Sequence, residues 1–439
     1  MTATAASAAP PLTLRRTLNF WQVTASGVGI VIGAGIYVLI GEATAEAGSA
    51  VWLAFVLAGV LSALSALSYA ELAGMYPSAG AEYQFAREAF NEFIGFVTGW
   101  MMVAALFIAA GTVSIGFAQY VQHFVDVDTR LASVALLGGM TLVIISGMQR
   151  SIWLTITLVL LQVSGLMLVI ASGAEHVGER PLLEGSSAAG VLSGAALVFF
   201  AFIGFDEVVT LSEETRDPHR TIPRALLAAL GIATLLYVLV ALAAVSIVGP
   251  DALAASDRPL ALVMEHDWGG AASDIVALIA LAATTNTTLL ALTAASRNLY
   301  GMSRSGSLPA VISRLSPRAR APWVAALIGL LIATAFAAPA DIGLAASVTD
   351  FGVYAIFIVV NAAVLVLRRT RPAAPRTMRV PCNVAGVPVP AVLAIVTVGV
   401  MMLRLDPLAW LLGLAVLMSG VLAWAAPRVI RKGKEVIGG

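Results

Sequence analysis

Gly27-Val-Gly-Ile-Val-Ile-Gly33-Ala-Gly35-Ile-Tyr37 places four glycines within nine residues of an apolar, membrane-length stretch. Each glycine costs a helix roughly 1 kcal/mol relative to alanine. In hydrocarbon a broken helix also strands backbone N–H and C=O groups, at several kcal/mol each. Such a break persists where the freed groups line a cavity and bind something, as in the discontinuous helices of secondary transporters. The same glycines, Gly29, Gly33 and Gly35 above all, would also serve a close helix–helix contact.

Composition sets the surroundings. Of 439 residues, 59% are apolar and 11% charged, with a mean hydropathy of +0.93. Soluble chains carry about 25% charged residues, so this is an integral membrane protein. At about 20 residues per span there is room for roughly a dozen helices. One cysteine, Cys382, excludes a disulfide framework and a multi-thiolate metal site. The four histidines, His123, His176, His219 and His266, fall in connections without metal-ligand spacing. Residues 1–14 are uncharged, rich in Ala, Ser, Thr and Pro, and lack the basic start and apolar core of a signal peptide. They are expected to form a disordered tail.

Apolar runs separated by polar or proline-bearing breaks predict an all-α membrane protein of 12 transmembrane helices. The spans are 18–41, 50–75, 92–122, 131–148, 152–173, 190–212, 224–249, 270–300, 323–338, 343–367, 388–404 and 408–427. The third and eighth exceed what a bilayer needs and are expected to tilt or project. With these spans, twenty-one of the twenty-five basic residues fall on one side, among them Arg15, Arg16, Arg150, Arg297, Arg318, Arg320, Arg368 and Lys432. The other side holds Arg130, Arg180, Arg258 and Arg404. Positive charge marks the cytoplasmic side, so both termini are expected there, in a multi-pass protein of the cell membrane.

No span holds an interior lysine or arginine, and the acids inside apolar runs are Glu71, Asp206, Glu207 and Asp350. An intramembrane carboxylate is a functional candidate by default. Glu71 lies near the cytoplasmic end of span two, where holding the helix to its loop is the simpler role. Asp206 and Glu207 follow Phe199-Phe-Ala-Phe-Ile-Gly204-Phe205 in the middle of span six. Spans one and six therefore both carry interruptions, five spans apart. If 15–175 and 176–370 are inverted repeats, these are equivalent positions, and paired interruptions mark a transporter's binding site.

At these residues the chain resembles the amino acid–polyamine–organocation (APC) transporter family, in its cationic amino acid transporter-like branch. The motifs are Ile32-Gly-Ala-Gly-Ile-Tyr-Val-Leu-Ile-Gly41, Ser68-Tyr-Ala-Glu-Leu-Ala-Gly-Met-Tyr-Pro-Ser-Ala-Gly-Ala-Glu-Tyr83 and Phe199-Phe-Ala-Phe-Ile-Gly-Phe-Asp206. Glu213-Glu-Thr-Arg-Asp-Pro-His-Arg-Thr-Ile-Pro223 and Ser296-Arg-Asn-Leu-Tyr-Gly-Met-Ser-Arg-Ser-Gly-Ser-Leu-Pro309 complete the set. The resemblance implies the LeuT-type fold, a 5+5 inverted repeat with peripheral helices at 371–428 and a basic cytoplasmic tail at 429–439. It implies transport of amino acids or related amines, without a cofactor.

A half-helix beginning at Gly33 would offer the N–H groups of Gly33, Ala34 and Gly35 to a substrate carboxylate. Carbonyls from Ile30 to Ile32, and from Ala201 to Ile203, suit its ammonium. Phe202 and Phe205 are candidates for an aromatic lid and wall, with plain packing as the alternative. Three departures from the family pattern bear on substrate and coupling. The stretch Met101–Phe107 lacks the glutamate usual in this branch, which favours neutral amino acids, with cationic amino acids or polyamines second. Gln162 stands where proton-coupled relatives hold a lysine, and Glu207 where relatives hold a small residue. In Thr284-Thr-Asn-Thr-Thr288, the hydroxyls of Thr287 and Thr288 are hard donors suited to a sodium ion, or to helix–helix bonding. Proton (H+) coupling through Asp206 or Glu207 competes with sodium (Na+) coupling and with pure exchange.

Other classes are excluded. No Gly-Lys-Ser/Thr phosphate loop exists, and the glycine run lacks Gly-x-Gly-x-x-Gly spacing. The basic connections are short and without interleaved aromatics, so they contact membrane lipids rather than nucleic acid. No span carries a nucleophile–base pair, and no pore repeat suggests a channel.

Overall fold

Asn19 opens the first helix. Its side chain accepts the Gln22 N–H and Gln22 Oε1 accepts the Asn19 N–H, both at 3.0 Å, forming a capping box. The computed structural model describes residues 18–76, 81–146, 152–213, 215–316, 321–376 and 378–437. The expected 1–14 tail, Arg15, Arg16, Arg150, Arg318, Arg320, Pro77 to Gly80 and the end of the fourth run lie outside the described residues.

Helix α1 (Phe20–Val31) stops short, and α2 (Gly35–Ala47) resumes after three residues. A short turn leads into α3 (Val51–Met75), followed by the loop helix α4 (Ala81–Ala89) and the long α5 (Glu92–Val121). Next come α6 (Thr129–Ile145), α7 (Ile152–Gly173) and α8 (Ala188–Val198). Helix α8 runs into two 3-10 segments, Phe199–Phe202 and Phe205–Glu213. The chain continues through α9 (Pro218–Val248), α10 (Pro250–Ala254), α11 (Pro259–Trp268), α12 (Gly270–Arg304), α13 (Trp323–Ala337) and α14 (Ile342–Thr370). It ends with α15 (Val389–Met402) and α16 (Pro407–Ile437), so the expected 429–439 tail continues as helix through Ile437. One hairpin, Asn383–Val384 against Val387–Pro388, interrupts this pattern. Its two turn residues, Ala385 and Gly386, both have positive φ, as a two-residue hairpin requires.

Among the described residues seven helical stretches are long and apolar enough to cross a membrane: Gly35–Met75, Glu92–Val121, Ala188–Val209, Pro218–Val248, Gly270–Arg304, Ile342–Thr370 and Pro407–Ala425. Shorter apolar helices fill the other runs. This is the architecture of an all-α membrane protein.

Buried tyrosine hydroxyls donate to backbone carbonyls of neighbouring helices, which pairs these O–H groups. Tyr37 donates to the Gln162 carbonyl at 2.5 Å, Tyr120 to that of Tyr37 at 2.9 Å and Tyr354 to that of Ala196 at 2.8 Å. The glycine run divides its labour. A Cβ on Gly27 would press on Ala229 and Val208, and one on Gly29 would lie 2.7 Å from Val159. Those two glycines serve helix packing, while Gly33 and Gly35 belong to the break.

Glu71 holds a connection distant in sequence rather than its own loop. Its carboxylate accepts from Arg368 Nε at 3.0 Å, Arg376 Nε at 3.1 Å and the Val380 N–H at 2.7 Å, while only 1% exposed. The end of α3 is thus tied to the α14–α15 connection. Glu71→Ala would leave two guanidinium groups unpaired in a buried site, and is expected to destabilise the protein by about 3–5 kcal/mol. Thermal unfolding of the detergent-purified variant measures this.

Candidate functional site

The first break is made by Ile32, Gly33 and Ala34. Gly33 turns back to donate its N–H to the Val31 carbonyl at 2.8 Å, and the Ala34 N–H donates to Thr287 Oγ1 of α12 at 3.1 Å. Helix α2 then starts at Gly35 with no capping side chain. Its first-turn N–H groups have no helical partner. Of the N–H groups of Gly33, Ala34 and Gly35 singled out from sequence, the first is engaged by the Val31 carbonyl and the second by Thr287, so the unengaged donors begin at Gly35.

The second break is at Ile203 and Gly204. Gly204 has φ +111°, a conformation L side chains avoid. Its N–H donates to Asp206 Oδ1 at 3.1 Å, and the Glu207 N–H donates to the Gly204 carbonyl at 3.0 Å. Asp206 is thus a cap on the broken backbone.

The breaks touch each other. A Cβ on Gly35 would lie 2.6 Å from Ala201 Cα, and Gly204 rests against the Ile30 carbonyl. Tyr237 of α9 seals the junction: its hydroxyl lies 2.8 Å from the Val31 carbonyl and 3.1 Å from that of Ala201. One O–H is shared between carbonyls that the two interruptions release.

A cavity of about 220 Å3 opens beside this junction. Among the residues singled out from sequence, Ile30, Gly33, Ala34, Gly35, Ala201, Ile203, Glu207 and Thr287 line it. The remaining walls include Leu106, Ala109 and Val113 of α5 and Leu290, Ala291 and Ala294 of α12. Ile32, Phe202, Phe205, Asp206, Gln162 and Thr288 do not line it. The Phe202 ring packs edge-on to Tyr237 at 5.2 Å, and Phe205 packs on Tyr69 and Phe357 at 5.6 and 5.3 Å. Phe200 is the phenylalanine that reaches the cavity. Phe202 and Phe205 take the packing alternative. Gln162 and Thr288 are buried, with the Gln162 amide atoms and Thr288 Oγ1 unpartnered among the described residues.

Two participants escaped the sequence reading. Asn286 lines the cavity with Oδ1 buried and unpartnered. It is the only amide in the quoted threonine cluster, which was a usable signal. Tyr237 is the one tyrosine of its apolar run, yet nothing local ties it to breaks so far away in sequence.

A family model described as amino acid permease matches residues 18–423. The chain belongs to the amino acid permease family. Over 417 residues it is 32% identical to the branched-chain amino acid permease BcaP of Bacillus subtilis, covering 87% of this chain and 86% of that protein. It is 29% identical to the methylthioribose transporter of the same organism, over 84% of each chain. With the vacuolar cationic amino acid transporter 4 of Arabidopsis thaliana it shares 29% identity, over 82% of this chain and 65% of the relative. These relatives are permeases and transporters, not enzymes, and the APC resemblance holds across the chain. With its apolar helices, the permease is a multi-pass membrane protein.

Proposed function

We propose that this permease is a secondary active transporter carrying neutral amino acids into the cell by alternating access, coupled to protons. The observation that carries the reading is the contact of two interrupted helices, Gly35 against Ala201, at the wall of one cavity. The substrate carboxylate docks at the first turn of α2. Its ammonium lies toward the Ile30 and Ile203 carbonyls and Glu207. The side chain faces Leu106, Val113 and Leu290, an aliphatic wall that suits a neutral residue. The name of the Bacillus relative, a branched-chain amino acid permease, agrees with that wall.

Proton coupling draws support from Glu207, the one carboxylate among the described residues that lines the cavity. Sodium coupling would need Thr287, whose oxygen already accepts the Ala34 N–H, or Thr288, which lies away from the cavity. In the proposed frame twelve helices cross the cell membrane as a LeuT-type fold, 15–175 and 176–370 being inverted repeats and 371–428 a peripheral pair. The segregation of basic residues supports cytoplasmic termini.

Uptake of labelled leucine into proteoliposomes, with a competing panel, is the test. Leucine, alanine and serine are expected to compete, and arginine, lysine, putrescine and methylthioribose to be weak. Best competition by arginine or lysine would overturn the neutral assignment. No uptake of any amino acid would overturn the transporter reading itself.

A further inference from the structure

A second cavity of about 370 Å3 lies between α4, α5 and α12, with Glu82, Met102, Arg297 and Asn298 in its walls. It lies next to the central cavity along two shared helices. On α5 the lining passes from Leu106 to Met102, and on α12 from Ala294 to Asn298, about one helical turn each. In the proposed orientation this is the cytoplasmic vestibule.

Glu82 is unusual there. It belongs to a nine-residue loop helix yet is only 7% exposed. Among the described residues it forms no ion pair, although charges are close in sequence: Arg87 and Arg371 both pair with Glu88, the latter at 2.9 Å. Its polar surroundings are Tyr69 of α3, Asp206 and Glu207 beyond it, and Arg297 across the vestibule. The Tyr69 ring bridges the elements, edge-on to Phe85 of α4 at 6.1 Å and to Phe205 at 5.6 Å. Its hydroxyl makes no closed hydrogen bond, and lies within electrostatic reach of Glu82, Asp206 and Glu207.

We propose that Glu82 is the cytoplasmic station of the coupling proton, loaded from Glu207 through the Tyr69 hydroxyl and emptied into the vestibule. The proposal rests on the proton-coupled reading. The Glu207 carboxyl gives its proton to the Tyr69 oxygen as Tyr69 gives its own to the Glu82 carboxylate. One proton moves, Tyr69 ends as it began, and vestibule water then takes the proton from Glu82. Burial, and after it the Asp206 carboxylate, push Glu82 up to about 8, so it loads and empties near neutral pH.

The test uses the full chain in proteoliposomes with labelled leucine, comparing wild type, Glu82→Gln and Tyr69→Phe. In both variants accumulation driven by a pH gradient at fixed potential is expected to fall by about 10²-fold, the scale of a lost proton-transfer group. Leucine-for-leucine exchange at symmetric pH needs no net proton movement and continues. A second readout follows Glu82 itself. Its folded-state value lies above the unfolded one, so the folded chain holds a proton the unfolded chain has released, and stability falls as pH rises from about 5 to 8. The melting temperature of Glu82→Gln is therefore expected to gain on wild type across that window. A pH-driven wild type matched by both variants would overturn the role of Glu82 and leave proton coupling standing. A wild type indifferent to the pH gradient would remove both. Loss of exchange along with accumulation in Glu82→Gln and Tyr69→Phe would show a structural role and overturn the proposal. If Glu82→Gln does not fold, Tyr69→Phe, which keeps every carboxyl group, decides.

Discussion

Gly35→Ala is expected to abolish leucine binding and transport while leaving a folded, monodisperse protein. A single methyl group there would lie 2.6 Å from Ala201 Cα and 2.8 Å from its Cβ. Backbone cannot rotate aside as a long side chain can, so the two interrupted helices must part. Parting them displaces the first turn of α2 from the cavity and pulls the Val31 and Ala201 carbonyls away from the shared Tyr237 hydroxyl. Displacements of about 1 Å at a positioned site cost on the order of 10²-fold.

Gly33→Ala is the milder neighbour. Its Cβ would meet Thr287 Oγ1 at 3.2 Å, which a rotation of Thr287 relieves at the expense of its bond to the Ala34 N–H. Gly59→Ala is the packing control. There the new methyl group would meet Thr234 Cγ2 and Oγ1 at 2.5 Å, far from the cavity lining. It should lower stability by about 1–3 kcal/mol through overpacking and keep leucine affinity. Scintillation-proximity binding beside size-exclusion profiles separates the cases. A monodisperse Gly35→Ala protein with wild-type affinity would falsify backbone recognition at the break.

The parts of the site legible in the sequence are those written in backbone chemistry. Glycines and paired carboxylates inside apolar runs are improbable in hydrocarbon unless something binds there, so Gly33, Gly35, Gly204 and Glu207 stand out before any coordinates. What stays hidden is fixed by tertiary contact. The hydroxyl of Tyr237 reaches Val31 across 206 residues. Phe200 rather than Phe202 faces the cavity, since the Phe202 ring packs on Tyr237 of α9, a contact far away in sequence. Asp206 and Glu207 are neighbours of one chemistry, yet one caps Gly204 and the other lines the cavity. Residue type alone cannot divide those tasks. Glu71 shows the converse: a structural role was legible, but its partners, Arg368 and Arg376, lie some three hundred residues away.

Glu207→Gln is expected to abolish the response of leucine accumulation to a pH gradient at fixed membrane potential. The reasoning is by elimination among the groups at that depth. The Gln162 amide has no proton to trade. Asp206 is engaged by the Gly204 N–H, and moving its charge would loosen the break it caps. Asp350 is buried on α14 and does not line the cavity. Among the described residues Glu207 is the carboxyl group that lines the cavity, where in the proposed reading the ammonium and the proton both arrive. Glutamine keeps its shape and removes the exchangeable proton, so the loss should reach about 10²-fold or more in pH-driven uptake. Accumulation in wild type that ignores the pH gradient and requires sodium would end the proton reading, and would make Thr287 and Thr288 the ion site. If wild type and Glu207→Gln respond to pH alike, Glu207 is not the coupling group, and Asp206, whose bond to the Gly204 N–H would then have to open and close, is the next carboxylate to test.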